Sequence, residues 1–174
     1  MLLRGLVLLT AAALLCGCET VARSGLDYAE TLRKVGPPKA GQARIVVFRE
    51  KGYGGLADRG WGFTVDGVLL TGLKTGTYVY ADRPAGQHQF VAEEPGFPGT
   101  TRFDFASRSG QTLFFVARVS ERKNAVIANG GTGLLGYGLT LAITSGYKNP
   151  GPVDFLAVDE GAAKVTVAEL RLAE

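Results

Sequence analysis

Between Ala43 and Ala128 the chain repeats one pattern: short β-branched or aromatic runs, each closed by a turn cluster, at intervals of roughly ten residues. A chain punctuated this often cannot build long helices, and the pattern predicts a mostly β domain, an antiparallel β-sandwich of about eight short strands. The expected strands are 43–50, 61–66, 68–73, 77–82, 87–93, 100–106, 111–119 and 125–128. Trp61, Phe63 and Val65 alternate with Gly62, Thr64 and Asp66, and Thr101, Phe103 and Phe105 alternate with Arg102 and Asp104, so each run has one apolar face. Leu113-Phe114-Phe115-Val116-Ala117 is apolar on both sides and belongs at the centre of a sheet.

The turns carry their own chemistry. Asp66-Gly67 between two apolar runs suits a two-residue hairpin turn with positive φ at both positions. Gly76 in Lys74-Thr75-Gly76, and Pro84 and Gly86 in Arg83-Pro84-Ala85-Gly86, mark two further turns, and His88 is placed to close or pack the hairpin that follows. Glycine and proline number 25 and 7 in 174 residues. That share, about 18%, is loop-rich yet below the roughly 25–30% of low-complexity chains.

The start of the chain is a different kind of segment. Arg4 precedes the apolar stretch Leu6 to Leu15, the charged start and greasy middle of an export signal. About ten residues give ~15 Å of helix, half of a hydrocarbon layer, so this stretch is too short to span. Leu15-Cys16-Gly17-Cys18 resembles the bacterial lipobox, although Cys16 stands where a smaller residue is commoner. The resemblance implies cleavage after Gly17 and acylation of Cys18, which brings palmitate and diacylglyceryl chains as a membrane anchor. An ordinary secretory signal is the alternative. With residues 1–17 removed, Cys18 is the sole cysteine, so no disulfide or cysteine-held zinc can form inside the chain. Glu19 is not the aspartate associated with retention on the inner membrane, and the expected location is the outer membrane, facing the periplasm.

Four segments follow: 1–17 as a lipoprotein signal peptide, 18–42 as a lipidated tether with one short helix, 43–128 as the sandwich, and 129–174 as a glycine-rich cover and C-terminal helix. Leu26, Ala29, Leu32 and Val35 give the tether helix its apolar side, and Gly36-Pro37-Pro38 ends it. Residues 159–172 are expected to be helical with Asp159 as cap, although Val165-Thr166-Val167 also suits a strand. The segment 129–151 is read as an apolar loop or hairpin closing one end of the sandwich, against a second reading as a membrane-contacting stretch.

Gly41 to Arg49, Val65-Asp66-Gly67, Leu73 to Tyr78 and Pro84-Ala85-Gly86-Gln87-His88 together resemble bacterial lipoproteins grouped as domain of unknown function 2846. Similar punctuation occurs in surface-associated β modules of the PEGA type. The resemblance implies an envelope lipoprotein with a compact β domain and assigns it no chemistry.

Little in the chain points to catalysis. Gly131-Thr132-Gly133-Leu134-Leu135-Gly136 spells a dinucleotide fingerprint, but too few residues follow it to complete that fold. His88 is the single histidine, which excludes a multi-histidine metal site. No G-x-S-x-G elbow is present, and no serine stands out as activated. Glu93-Glu94 and Asp159-Glu160 read as solvated or capping carboxylates. Nineteen basic against sixteen acidic residues give a formal charge of +3, too dilute for nucleic acid. Loss of Arg4 with the signal segment would leave eighteen against sixteen, a charge of +2, too small for a second electrostatic membrane signal. Arg44, Arg49, Lys51, Arg59 and Arg83 are expected on a solvated surface.

The expected function is therefore binding: an envelope adaptor for a protein partner, without cofactor or metal. Tyr53, Tyr78 and Tyr80 form the expected contact surface. A small-molecule or lipid carrier and a cell-wall-acting enzyme are the alternatives.

Overall fold

The computed structural model describes residues 25–52, 60–129 and 133–174. The expected signal segment, Cys18, Tyr53, Arg59 and Gly131 lie outside them. In chain order the elements are α1 (Tyr28–Val35), β1 (Gln42–Arg49), β2 (Trp61–Val65), β3 (Val68–Leu73), β4 (Thr77–Pro84), β5 (Gln87–Glu94), β6 (Phe97–Ala106) and β7 (Thr112–Val119). Then come α2 (Glu121–Asn129), α3 (Gly133–Ile143), a 3-10 turn (Thr144–Gly146), β8 (Val153–Val158), α4 (Glu160–Ala168) and β9 (Arg171–Leu172).

Two sheets pack face to face, one of order β8-β7-β1-β4-β9 and one of order β3-β2-β5-β6. The mostly β, sandwich-like fold with a C-terminal helix is the one the sequence predicts. It is not purely antiparallel. β1 runs parallel to β7 and β4 parallel to β9, because the chain crosses between the sheets, with β2–β3 and β5–β6 in the second on either side of β4 in the first, and the partners are joined by long crossovers rather than hairpins.

The five-stranded sheet buries both faces. Ile45, Val47, Phe115 and Phe155 point inward to Phe63, Val65 and Phe90 of the second sheet. Val46, Phe48, Tyr78, Phe114 and Val116 point outward to Tyr28, Ala163, Val167 and Leu170. This explains why the six middle residues of β1 are all buried and why β7, as its two-sided apolar run predicts, lies inside the sheet. The second sheet has one dry face and one wet face, as the alternation in β2 and β6 requires.

Three sequence expectations need correction. Residues 125–128 belong to α2, not to a strand. Ser120 starts that helix: its Oγ accepts from Lys123 N and its carbonyl from Asn124 N, a helix-initiation signal stronger than the β preference of Val126 and Ile127. An eighth strand does exist, but it is β8, antiparallel to β7 with Val119 opposite Val153. Residues 28–35 are not part of a tether. Tyr28 is buried edge-on against Tyr78 at 5.6 Å and Phe114 at 5.9 Å between centroids, so α1 caps the domain's second core. Asp27 and Glu30 close a reciprocal capping box at its start.

The ambiguous C-terminus resolves in favour of the helix, which contains Val165-Thr166-Val167 but stops short of the expected residue 172. Asp159 accepts from the amides of Gly161 and Ala162 and caps α4, which ends at Ala168 so that Arg171 and Leu172 can pair with Thr77 and Tyr78.

Candidate functional site

The polar cluster of the domain lies at the end where β4 passes into β5. Asp66 and Gly67 form the expected turn, with φ of 52° and 78°. That backbone carries the Asp66 carboxylate over β5, where Oδ1 accepts from Gln89 N at 3.0 Å and Oδ2 lies 2.7 Å from His88 Nδ1. The other ring nitrogen, His88 Nε2, lies 2.8 Å from Ser107 Oγ. His88 is buried, with its ring against Phe105. Burial pushes the Asp66 carboxyl up, but the hydrogen bonds from His88 and Gln89 and the nearby charges of His88 and Arg83 outweigh it and hold the group below the usual carboxylate range.

Asp66, His88 and Ser107 thus share the connectivity of a hydrolase triad, which separations of about twenty residues along the chain concealed. An acyl-transfer site also needs free backbone donors beside the nucleophile. Here the Ser107 amide donates to Gly86 O at 2.8 Å and the Arg108 amide to Gln111 Oε1 at 3.0 Å. Ser107 itself is buried. These bonds tie the β2–β3 turn, the β4–β5 turn and the β6–β7 loop into one clamp. Gly86 belongs to the same tie through its carbonyl, and the amide of Ala85, which follows Pro84, joins this turn to the start of β1 by donating to Gly41 O. Gly76 ends the turn before β4 with φ of 76°, and its amide reaches Arg49 O.

The tyrosine surface does not form as expected. Tyr78 is fully buried; its hydroxyl lies 2.5 Å from Thr31 Oγ1 and also reaches the carbonyl of Asp27, and burial raises its pKa. Tyr80 is half-buried beside it. Strand alternation places both on one face, and that face is the one α1 and α4 cover.

Arg44 is also inside. Its guanidinium makes a bidentate pair with Asp82, Nε to Oδ1 and Nη2 to Oδ2, both at 2.7 Å, and donates to Gly36 O from Nη1. The hydrogen bond to Asp82 raises its pKa despite burial. Arg49 lies over the Trp61 ring at 3.7 Å. Both arginines were expected on a solvated surface; each instead neutralises or stacks on a neighbour across the fold.

The exposed apolar surface lies on α3. Leu134 and Leu135 are each 90% exposed, Ile143 72% and Leu139 63%, and the helix has no charged residue. Its inner side carries Thr140, and Tyr137, whose hydroxyl donates to Gly96 O at 3.2 Å. Arg122 of α2 fastens the hairpin down: it is buried, donates to Pro98 O at 2.6 Å and Thr144 Oγ1 at 3.3 Å, and contacts Pro150 O. A groove of about 490 Å³ between the two helices is lined by Ala125, Asn129, Gly136, Leu139 and Ile143. Within the 129–151 segment, residues 133–143 are therefore a helix with one covering side and one open side, where a loop or hairpin was expected. The strand that a dinucleotide fingerprint needs before Gly131 is replaced by α2.

No family model, no curated protein and no solved structure matches this chain.

Proposed function

We propose that the chain is an envelope lipoprotein, held on the periplasmic face of the outer membrane by acyl chains on Cys18, and that its β-sandwich is a binding module working through the outer face of α3. The observation that carries this reading is the charge-free helix with Leu134, Leu135, Leu139 and Ile143 outside the domain core. A contiguous apolar face on a folded domain marks an interaction site. The signal segment and lipobox resemblance at 1–18 support the anchor, and the likeness to domain of unknown function 2846 is compatible with it.

The enzyme alternative has one arrangement to stand on, Asp66–His88–Ser107, and the engaged amides of Ser107 and Arg108 favour the clamp instead. The carrier alternative needs internal space. Phe90 contacts Phe105, Phe115 and Phe155 at 4.5–5.0 Å between ring centroids, so aromatic rings fill the region between the sheets.

Palmitate labelling with fractionation of cell envelopes tests the anchor. Wild type is expected to take up label and sediment with outer membrane, and Cys18→Ser to lose both. A Cys18→Ser protein that still takes up label would exclude this cysteine as the attachment point.

A further inference from the structure

We propose that the open face of α3, together with Ile127 of α2, seats in the interfacial layer of the same lipid bilayer that holds the Cys18 acyl chains. The inference rests on the reading of Cys18 as the anchored residue. It adds a second, non-covalent contact that fixes which end of the sandwich faces the lipid.

Strand register gives the first argument. β1 finishes at Arg49, which pairs with Thr77 at the start of β4. Leu172 pairs with Tyr78 at that same end, and its amide donates to Leu26 O at 2.8 Å. The N-terminal boundary of the described chain is therefore at the β1 C-terminal end of the sandwich. On the other side of the sheet, Phe48 pairs with Val116 near the end of β7, and Val119 pairs with Val153. The α2–α3 hairpin is inserted between those two paired valines. The tether and the apolar helix thus leave the sandwich at one end, while the Asp66–His88–Ser107 clamp occupies the opposite end, about 25 Å away along eight-residue strands.

Chain length gives the second argument. Six residues lie between Cys18 and Gly25, seven Cα–Cα steps whose reach cannot exceed about 25 Å. An anchor this short keeps the tether end of the sandwich close to the bilayer, where the exposed leucines are within reach of lipid.

Chemistry gives the third. The open face carries Leu134, Leu135, Leu139 and Ile143 from α3 and Ile127 from α2, all more than half exposed. Successive 100° steps spread the α3 residues over half of the helix circumference. A face this wide, without a charge, suits a fluid apolar medium. None of the described helices is long and apolar enough to cross a membrane, so α3 would lie in the plane of the interface. Tyr147 and Lys148 follow it on the exposed side, an amphipathic ring and a long cationic stem of the kind that sits at the headgroup boundary.

The test uses processed protein isolated from envelopes and reconstituted into protein-free vesicles of phosphatidylethanolamine and phosphatidylglycerol containing nitroxide-labelled lipid. Cys16 leaves with the signal segment and acylation consumes the Cys18 thiol, so an introduced cysteine is the only free thiol. An environment-sensitive fluorophore is placed on Leu135→Cys, and on Leu69→Cys at the opposite end, which is also exposed. Quenching at position 135 is expected to exceed that at position 69 by at least about threefold, with a blue-shifted emission. Equal quenching at the two positions, in protein that carries the palmitate label, overturns the seating inference while leaving the anchor intact. Position 135 wet in vesicles but crosslinked to a protein in cells overturns it in favour of a protein partner. Absence of the palmitate label overturns the anchor instead; the variants are then remade on Cys18→Ser and mixed with the same vesicles, and position 135 decides the helix on its own.

Discussion

His88 Nδ1 lies 2.7 Å from Asp66 Oδ2, so the chain's single histidine is held by the carboxylate of the β2–β3 turn. Because the ring's other nitrogen reaches Ser107, this one buried side chain spans three loops. His88→Ala is expected to cost about 2–3 kcal/mol in urea unfolding, through lost packing and a stranded carboxylate, and Ser107→Ala about 1 kcal/mol. Membrane attachment should not change in either. Wild-type unfolding midpoints in both variants would show that the cluster contributes nothing to folding.

Acid should weaken the same clamp. The Asp66 carboxyl is held below its ordinary range in the folded state, so its contribution is complete above the unfolded pKa near 4 and is lost as pH falls through the lower folded value. The stability difference between wild type and Asp66→Asn, followed by thermal melting from pH 6 downward, is expected to be constant to about pH 4 and to shrink below it. A gap that widens on acidification would contradict the sign of this shift.

Arg44 and Asp82 are cross-strand partners whose guanidinium and carboxylate meet in two parallel bonds. Arg44→Met leaves the Asp82 carboxylate and the Gly36 carbonyl without their donor and should cost about 3 kcal/mol. Arg44→Lys should recover only part of that, because an ammonium cannot make the forked contact. Chemical denaturation of the two variants ranks them; equal stability of Lys and Arg at this site would mean the bidentate geometry is energetically idle.

Two glycines of the same late segment should respond in opposite directions. A Cβ on Gly151 would fall 2.0 Å from the Thr101 amide nitrogen, whereas one on Gly138, inside α3, meets nothing within 4 Å. Gly151→Ala is expected to lose about 3 kcal/mol or more by forcing β6 from the start of β8. Gly138→Ala should gain up to about 1 kcal/mol through helix propensity. Thermal melts with the opposite order would mean that the β6–β8 approach is looser than the structure has it.

Much of the fold can be read locally because turns and strand alternation are local. Asp66-Gly67 adopts the backbone that its two residues favour, and Trp61 to Val65 shows a single apolar face because a strand alternates by geometry. The helix α2 is not legible locally because the β preference of Val126 and Ile127 masks Ser120, whose role as a cap depends on where the backbone goes next. The strand β8 is not legible locally either, because Val153 and Phe155 follow a glycine-rich segment and pair with β7, whose partner strand is set by tertiary contact.

The candidate sites divide in the same way. The sequence alone determined that Tyr78 and Tyr80 share a face, by strand alternation; that His88 follows a turn, by Pro84 and Gly86; and that residues 134–143 are mostly apolar, by composition. Periodicity assigns residues to a face without saying what covers that face. Only the packing of α1 and α4 on the five-stranded sheet buried Tyr78 and Arg44, only the folding together of three loops joined Asp66 and His88 to Ser107, and only the placement of α3 across the end of the sandwich left Leu134 and Leu135 open to solvent. Burial is a relation between segments distant in sequence, and the chain itself records only what each segment brings to it.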